Sequence, residues 1–318
     1  MLSRVAETLY WTARYVERAE NLARLINVNN LLLMDLPKGF SPGWEPLLDI
    51  TGNREPFEAI YNEYSEKNVV KFLTVDTRNP SSILNSLQYA RDNARTIRDV
   101  IPREVWETLN ALHLSVKENS TSFLSKRGRF ASLKQVINQC LLMFGTMDAS
   151  MSHDEGYFFW RFGAALERAD MTSRIIDVRS STLTEDMSDL PFENILWMSV
   201  LRSLSGYQMY RQKMGVRIRP GDVLLFMLHS KEFPRSVLFC LNKLKSLFLN
   251  LPDNEAMIER IDHSISDLEK QPVATLRGRA LHNYIDELQI DFADIHQQLA
   301  EQYFLHWCAF FRVCRCAK

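Results

Sequence analysis

A segment near the start of this chain recurs 150 residues later, and that recurrence limits what the chain can fold into more than any other feature. Glu17-Arg18-Ala19-Glu20 returns as Glu167-Arg168-Ala169-Asp170, Arg24 as Arg174, Leu25-Ile26-Asn27-Val28 as Ile175-Ile176-Asp177-Val178, and Tyr10 as Trp160. The match continues at nearly the same offset: Trp44 and Leu48 pair with Trp197 and Leu201, and Pro80, Ser82 and Leu87 pair with Pro234, Ser236 and Leu241. Self-similarity over such a span means duplication of a whole half-domain, so the expected architecture is two pseudosymmetric repeats, about 1–147 and about 148–305.

The repeated unit reads as helical. Val5, Leu9, Val16, Ala19, Ala23 and Ile26 follow helical rather than alternating spacing. Ser3 is positioned to cap this first helix, which is expected to reach Met34 and stop before Pro37, with Gly39, Pro42 and Gly43 in the following loop. Short helices are expected at 44–50 and 56–65, and Val69–Val75 fits either a helix or an extended piece. Further helices are expected at 79–100, opened by Pro80, and at 102–117 and 120–144. The second copy predicts helices near 151–180, 194–213, 221–229, 233–249, 254–270 and 275–305. No alternating strand of useful length occurs, so the fold class is all-α, a helical bundle in a single domain.

Composition excludes several function classes. A net charge of -1 gives no footprint for nucleic acid or an anionic membrane. Apolar runs such as Val223 to Leu228 are far too short to span a bilayer, and the opening residues lack the core of a secretory signal, so the expected location is the cytoplasm. Cys140 and Cys240 sit in apolar helical sequence and read as small buried hydrophobes. The tail 306–318, with His306, Cys308, Cys314 and Cys316, is poorly spaced for a zinc knuckle and reads as an appendage outside the repeated fold. None of the seven histidines has a Glu three residues before it, which removes the ligand pattern of di-iron bundles; no metal site is expected. Phosphate-binding glycine loops and a Gly-x-Ser-x-Gly elbow are also missing.

What remains is the duplicated charge. Glu17, Glu20, Asn21 and Arg24 fall within an arc of about 100° beside the apolar stripe of their helix. Glu20–Arg24 and Asp170–Arg174 are favourable acid-to-base pairs four residues apart. A fainter acid-amide pair recurs at Asp92-Asn93, near Arg91, Arg95 and Arg98. Two readings stay open. The charges form a semi-buried network that fixes helix register, or the repeats bring them together as a polar pocket for a carboxylate, an amino acid or a phosphate. The aromatics Trp11, Tyr15, Phe158, Phe159 and Trp160 beside the motif read as core packing.

Residues 1–24, Asp76-x-x-Asn79-Pro80-x-Ser82, Ala90 to Arg95, Trp106-Glu107-x-Leu109-Asn110, Leu166 to Thr172 and Phe233 to Leu241 together resemble the bacterial alpha-E family. The resemblance implies proteins encoded beside, or fused to, a circularly permuted ATP-grasp amidoligase, often near a transglutaminase-like peptidase. It implies a part in ATP-dependent peptide synthesis or modification, with ATP and Mg on the partner ligase and no cofactor here. Matching the motifs residue by residue gives a candidate binding set of Arg14, Glu17, Arg18, Glu20, Arg24, Asp76, Asn79, Arg91, Asn93, Glu167, Arg168, Asp170 and Arg174. Ala164 stands where the first copy has Arg14, so any site is asymmetric. The two functions left in play are a helical scaffold that docks the ligase and holds the acceptor, and an enzyme subunit using Glu17 or Glu167 as general base on an amino acid or acyl-phosphate.

Overall fold

The architecture follows from two long helices that bury almost every face. In the computed structural model, which describes residues 1–37, 41–181 and 193–304, α1 (Ser3–Asp35) spans about 50 Å and buries residues all around its middle, from Leu9 to Ile26. Its counterpart is α9 (Glu155–Ser181), and the two pack along each other at the centre.

They meet closely because both carry small residues at the contact. A Cβ on Gly163 of α9 would lie 2.2 Å from the Tyr10 carbonyl oxygen and 3.2 Å from the Ala13 Cβ, so only glycine permits this approach. Around α1, the helices α5 (Ile83–Thr96), α6 (Arg103–Glu118) and α8 (Lys126–Ser150) complete a four-membered ring, each packed on the next. Around α9, a second ring is made by α13 (Val237–Phe248), α14 (Glu255–Lys270) and α15 (Gly278–Tyr303). The buried apolar residues of both rings form one continuous core from Ala6 to Phe304.

Short helices fill the connections: α2 (Pro46–Ile50), α3 (Arg54–Glu58), α4 (Glu66–Thr74) and α7 (Ser120–Leu124) first, then α10 (Glu193–Ser203), α11 (Tyr207–Met214) and α12 (Pro220–His229). Each central helix is also touched by the short helix that follows the other one: α2 packs on α9, and α10 on α1. Both short helices end in the same turn. Gly52 (φ +63°) donates to Asp49 O and Asn53 to Leu48 O; Ser205 (φ +56°) donates to Arg202 O and Gly206 to Leu201 O.

Among the described residues all regular structure is helical, with 15 α-helices, and no helix is long and apolar enough to cross a membrane. Several boundaries differ from the sequence expectation. Ser3 is the first helical residue and does not cap α1, whose N-cap Leu2 has no side-chain acceptor. Pro80 lies in a turn, and Ser82 opens α5 by accepting from the Asn85 N–H at 3.2 Å. The 120–144 helix is two, restarted by the Ser125 cap, and the 194–213 helix is two, split at Ser205. Cys140 and Cys240 are buried free thiols. Gly39, residues 182–192 and the cysteine-bearing tail 306–318 lie outside the described residues.

Candidate functional site

The two Glu-Arg pairs, Glu17-Arg18 and Glu167-Arg168, face each other across the α1–α9 contact and exchange partners. Arg18 Nε donates to Glu167 Oε1 at 2.7 Å and its Nη2 to Oε2 at 3.1 Å; Arg168 Nε donates to Glu17 Oε2 at 2.9 Å. Each glutamate on one helix is thus held by the arginine that follows its counterpart on the other. Such fork-shaped pairing orients as well as attracts. Glu17 and Glu20 are fully buried and Glu167 is 1% exposed, so their charges depend on these partners.

On the α1 side, both acids also take Arg235, from the turn before α13. Its Nη1 hydrogen-bonds Asn21 Oδ1 at 2.8 Å and lies 2.9 Å from Glu17 Oε1, while its Nη2 donates to Glu20 Oε2. Arg24 bonds the other Glu20 oxygen. Thr172 of α9 fixes the arginine's backbone by donating to Arg235 O at 2.8 Å. Burial opposes ionisation of Glu20, but the charges of Arg235 and Arg24 outweigh it and hold the carboxyl well below its ordinary range.

On the α9 side the supply of cations differs. Arg14 reaches Glu167 from α1, Nε to Oε2 at 2.7 Å, and its Nη1 donates to the Tyr10 hydroxyl, which in turn pairs with His296 Nδ1 at 2.8 Å. Burial works against the Glu167 charge, yet Arg18 and Arg14 keep its carboxyl down at about 2. His296 is pushed down to about 4, by burial first and then by the Arg14 charge, and so is a neutral partner for Tyr10. Asp170 receives one bond, from Arg174 Nε at 2.9 Å to Oδ1, and its Oδ2 makes no hydrogen bond among the described residues. Burial raises its pKa against the pull of Arg174.

Asp170 borders a cavity of about 270 Å³ between α9, the α2 turn and the start of α5. Arg18, Arg174 and Ser81 supply polar groups to its wall, and Leu22, Ile50 and Met171 an apolar side. Arg18 Nη1 and both Nη groups of Arg174, on side chains 24% and 35% exposed, have no hydrogen bond among the described residues, so the residues lining this cavity bring unbonded donors and one unbonded carboxylate oxygen. A larger recess of about 420 Å³ lies elsewhere, beside Phe226 and Phe233; its charged pair, Lys213 and Glu232, is already joined at 2.8 Å.

Nine of the thirteen candidate residues belong to this assembly: Arg14, Glu17, Arg18, Glu20 and Arg24 from α1, and Glu167, Arg168, Asp170 and Arg174 from α9. The other four stand apart. Asp76 is bound by Arg78 and by Tyr61 at 2.6 Å. Asn79 braces its turn, donating to Phe72 O and accepting from the Ser81 N–H at 2.9 Å, and so touches the cavity only through Ser81. Arg91 bonds Asn110 across to α6 at 2.7 Å, and Asn93 lies half-buried on α5 with no link to the network.

Arg235 also belongs to this assembly, and sequence reasoning passed over it. Its turn was visible as the Pro234–Ser236 match to Pro80–Ser82, but the first copy carries Ser81 at that place and hid the charge. Half-buried Asp177 and exposed His282 and Asp286 form a cluster with ligand atoms within 4.8 Å of one another, which a Glu-x-x-His pattern does not reveal. Exposed acidic groups of this kind are common without an ion.

The model of the Alpha-E family, described as a predicted alpha-helical domain with a conserved ER motif, matches residues 1–304. The chain is also similar to uncharacterized proteins of Mycobacterium bovis and Mycobacterium tuberculosis, at 22% identity over 94% of its length. It spans 36% of the length of those relatives. No solved structure matches it.

Proposed function

The chain belongs to the Alpha-E family, and from that premise we propose that it is the accessory helical component of an ATP-grasp amidoligase system, built from two pseudosymmetric halves. It docks a circularly permuted ATP-grasp protein, with a transglutaminase-like protein as a further partner, and its cavity holds the acceptor. ATP and Mg reside on the ligase, and the work is cytoplasmic. The observation that carries this reading is the exchange of partners between Arg18–Glu167 and Arg168–Glu17, which consumes the ER motif in joining two helices. A general base has to reach its proton and titrate near working pH. Glu17 is fully buried under two arginines, and Glu167 is held at about 2. The matched turns at Gly52 and Ser205, the matched caps at Ser82 and Ser236, and the two four-helix rings support the duplication. The extra length of the relatives leaves room for a fused catalytic partner.

One observation favours the second reading, an enzyme subunit acting on an amino acid or acyl-phosphate. The cavity beside Asp170 gathers unspent arginine donors of the kind that clamp anions. Co-expression with the ATP-grasp protein, followed by ATP turnover with amino acids and peptides, tests the proposal. A complex whose turnover requires this chain is expected. Separate elution together with turnover indifferent to this chain contradicts it.

A further inference from the structure

Resting on the duplication proposed above, the second half of the molecule indicates what the cavity of the first half lacks. On α1, the acids Glu17 and Glu20 and the neighbouring Asn21 receive the Arg235 guanidinium. Their counterparts on α9 are Glu167, Asp170 and Met171, and all three line the cavity. Arg235 lies between Pro234 and Ser236, and Ser81 lies between the matching Pro80 and Ser82, also on the cavity wall. The cavity is therefore the same locus with its arginine replaced by a serine.

The missing cation is only half compensated. Arg14, which has Ala164 as its counterpart, reaches Glu167 and together with Arg18 occupies both of its oxygens. Among the described residues Asp170 gains no such substitute, and its Oδ2 makes no hydrogen bond. A cationic group is thus called for at Asp170. The partly exposed arginines beside it suit the opposite charge: among the described residues both Nη groups of Arg174 and Nη1 of Arg18 make no hydrogen bond, and Arg forks suit carboxylates. A ligand that satisfies both carries an ammonium and a carboxylate close together. The volume of about 270 Å³ lies just under the usual range for drug-sized ligands and suits something smaller. Leu22, Ile50 and Met171 offer an apolar wall for its remainder.

We infer that this cavity binds a free α-amino acid with a small aliphatic side chain, its ammonium on Asp170 where the other half places Arg235, and its carboxylate on Arg174, Arg18 and Ser81. The intact chain, without any ligase, is titrated calorimetrically with L-alanine, L-valine and L-leucine, and with the N-acetyl and the carboxamide forms of each. At least one free amino acid is expected to bind, and blocking either end is expected to weaken it at least about tenfold, since each end makes a charge-assisted hydrogen bond. Ser81→Arg supplies the missing guanidinium internally and is expected to abolish binding while keeping the fold. Should that variant not fold, Asp170→Asn is expected to lose at least about tenfold in affinity with an unchanged unfolding midpoint. No binding by any of the three amino acids, equal binding of the blocked forms, or undiminished binding by Ser81→Arg or Asp170→Asn overturns the inference. Because no partner takes part, the outcome is independent of whether the chain docks an ATP-grasp protein.

Discussion

Arg235 neutralises two carboxylates that have no water to turn to. Replacing it by methionine leaves Glu17 with Arg168 alone and Glu20 with Arg24 alone in a buried place. Breaking one side of a buried pair costs about 3–5 kcal/mol, so Arg235→Met is expected to lower the unfolding free energy by that order in a urea titration. The same network sets the response to acid. The Glu167 carboxyl is held at about 2, below its ordinary 4.5. A depressed carboxyl contributes stability that is present above about pH 4.5 and is lost as pH falls through 2. Unfolding midpoints are therefore expected to drop across that window, and Glu167→Gln is expected to flatten the drop; an equally steep loss in the variant contradicts this. At this scale the sequence was half legible. Glu17 and Arg18 stood out because the same pair recurs at Glu167 and Arg168. Arg235 did not, because its partners lie more than 200 residues away and its own counterpart is a serine. Asp76, Asn79 and Arg91 looked equally polar in sequence, yet serve local turns and a neighbouring helix, and Asn93 lies half-buried on α5 away from the network.

Between elements, the decisive contact is the close crossing of α1 and α9. Gly163 sits where a Cβ would meet the Tyr10 carbonyl oxygen at 2.2 Å, and backbone cannot rotate away as a side chain can. Gly163→Ala is expected to force the helices apart at the cost of about 1–3 kcal/mol or more. The cross-helix bonds of Arg14 and Arg18 lengthen with it, which a lowered melting temperature and weaker amide protection in both helices would record. Helices α1 and α9 were readable because their apolar spacing runs unbroken for more than 25 residues. The breaks at Ser125 and Ser205 were not. Apolar periodicity continues through both, and what ends the helix is a side-chain cap in one case and a left-handed residue in the other. Pro80 shows the same limit: proline suits either a first helical turn or the turn before it, and the Ser82 cap decides between them.

For the whole molecule, two four-helix rings share one core along α1 and α9, and the ER motif is the clasp between them. All-helical architecture followed from composition and spacing, since both concern local backbone preference. The exchange of partners across the centre did not, because it depends on how the two rings face each other. We propose that the motif holds the molecule together while chemistry happens on a partner. The sharpest test is ATP turnover by the proposed ATP-grasp partner with Glu17→Gln in place of the natural chain, scored beside the variant's urea midpoint. A clearly lower midpoint is expected and, well below that midpoint, turnover close to that with the natural chain. A variant with an unchanged midpoint and abolished turnover would contradict it, and would make Glu17 a participant in the reaction.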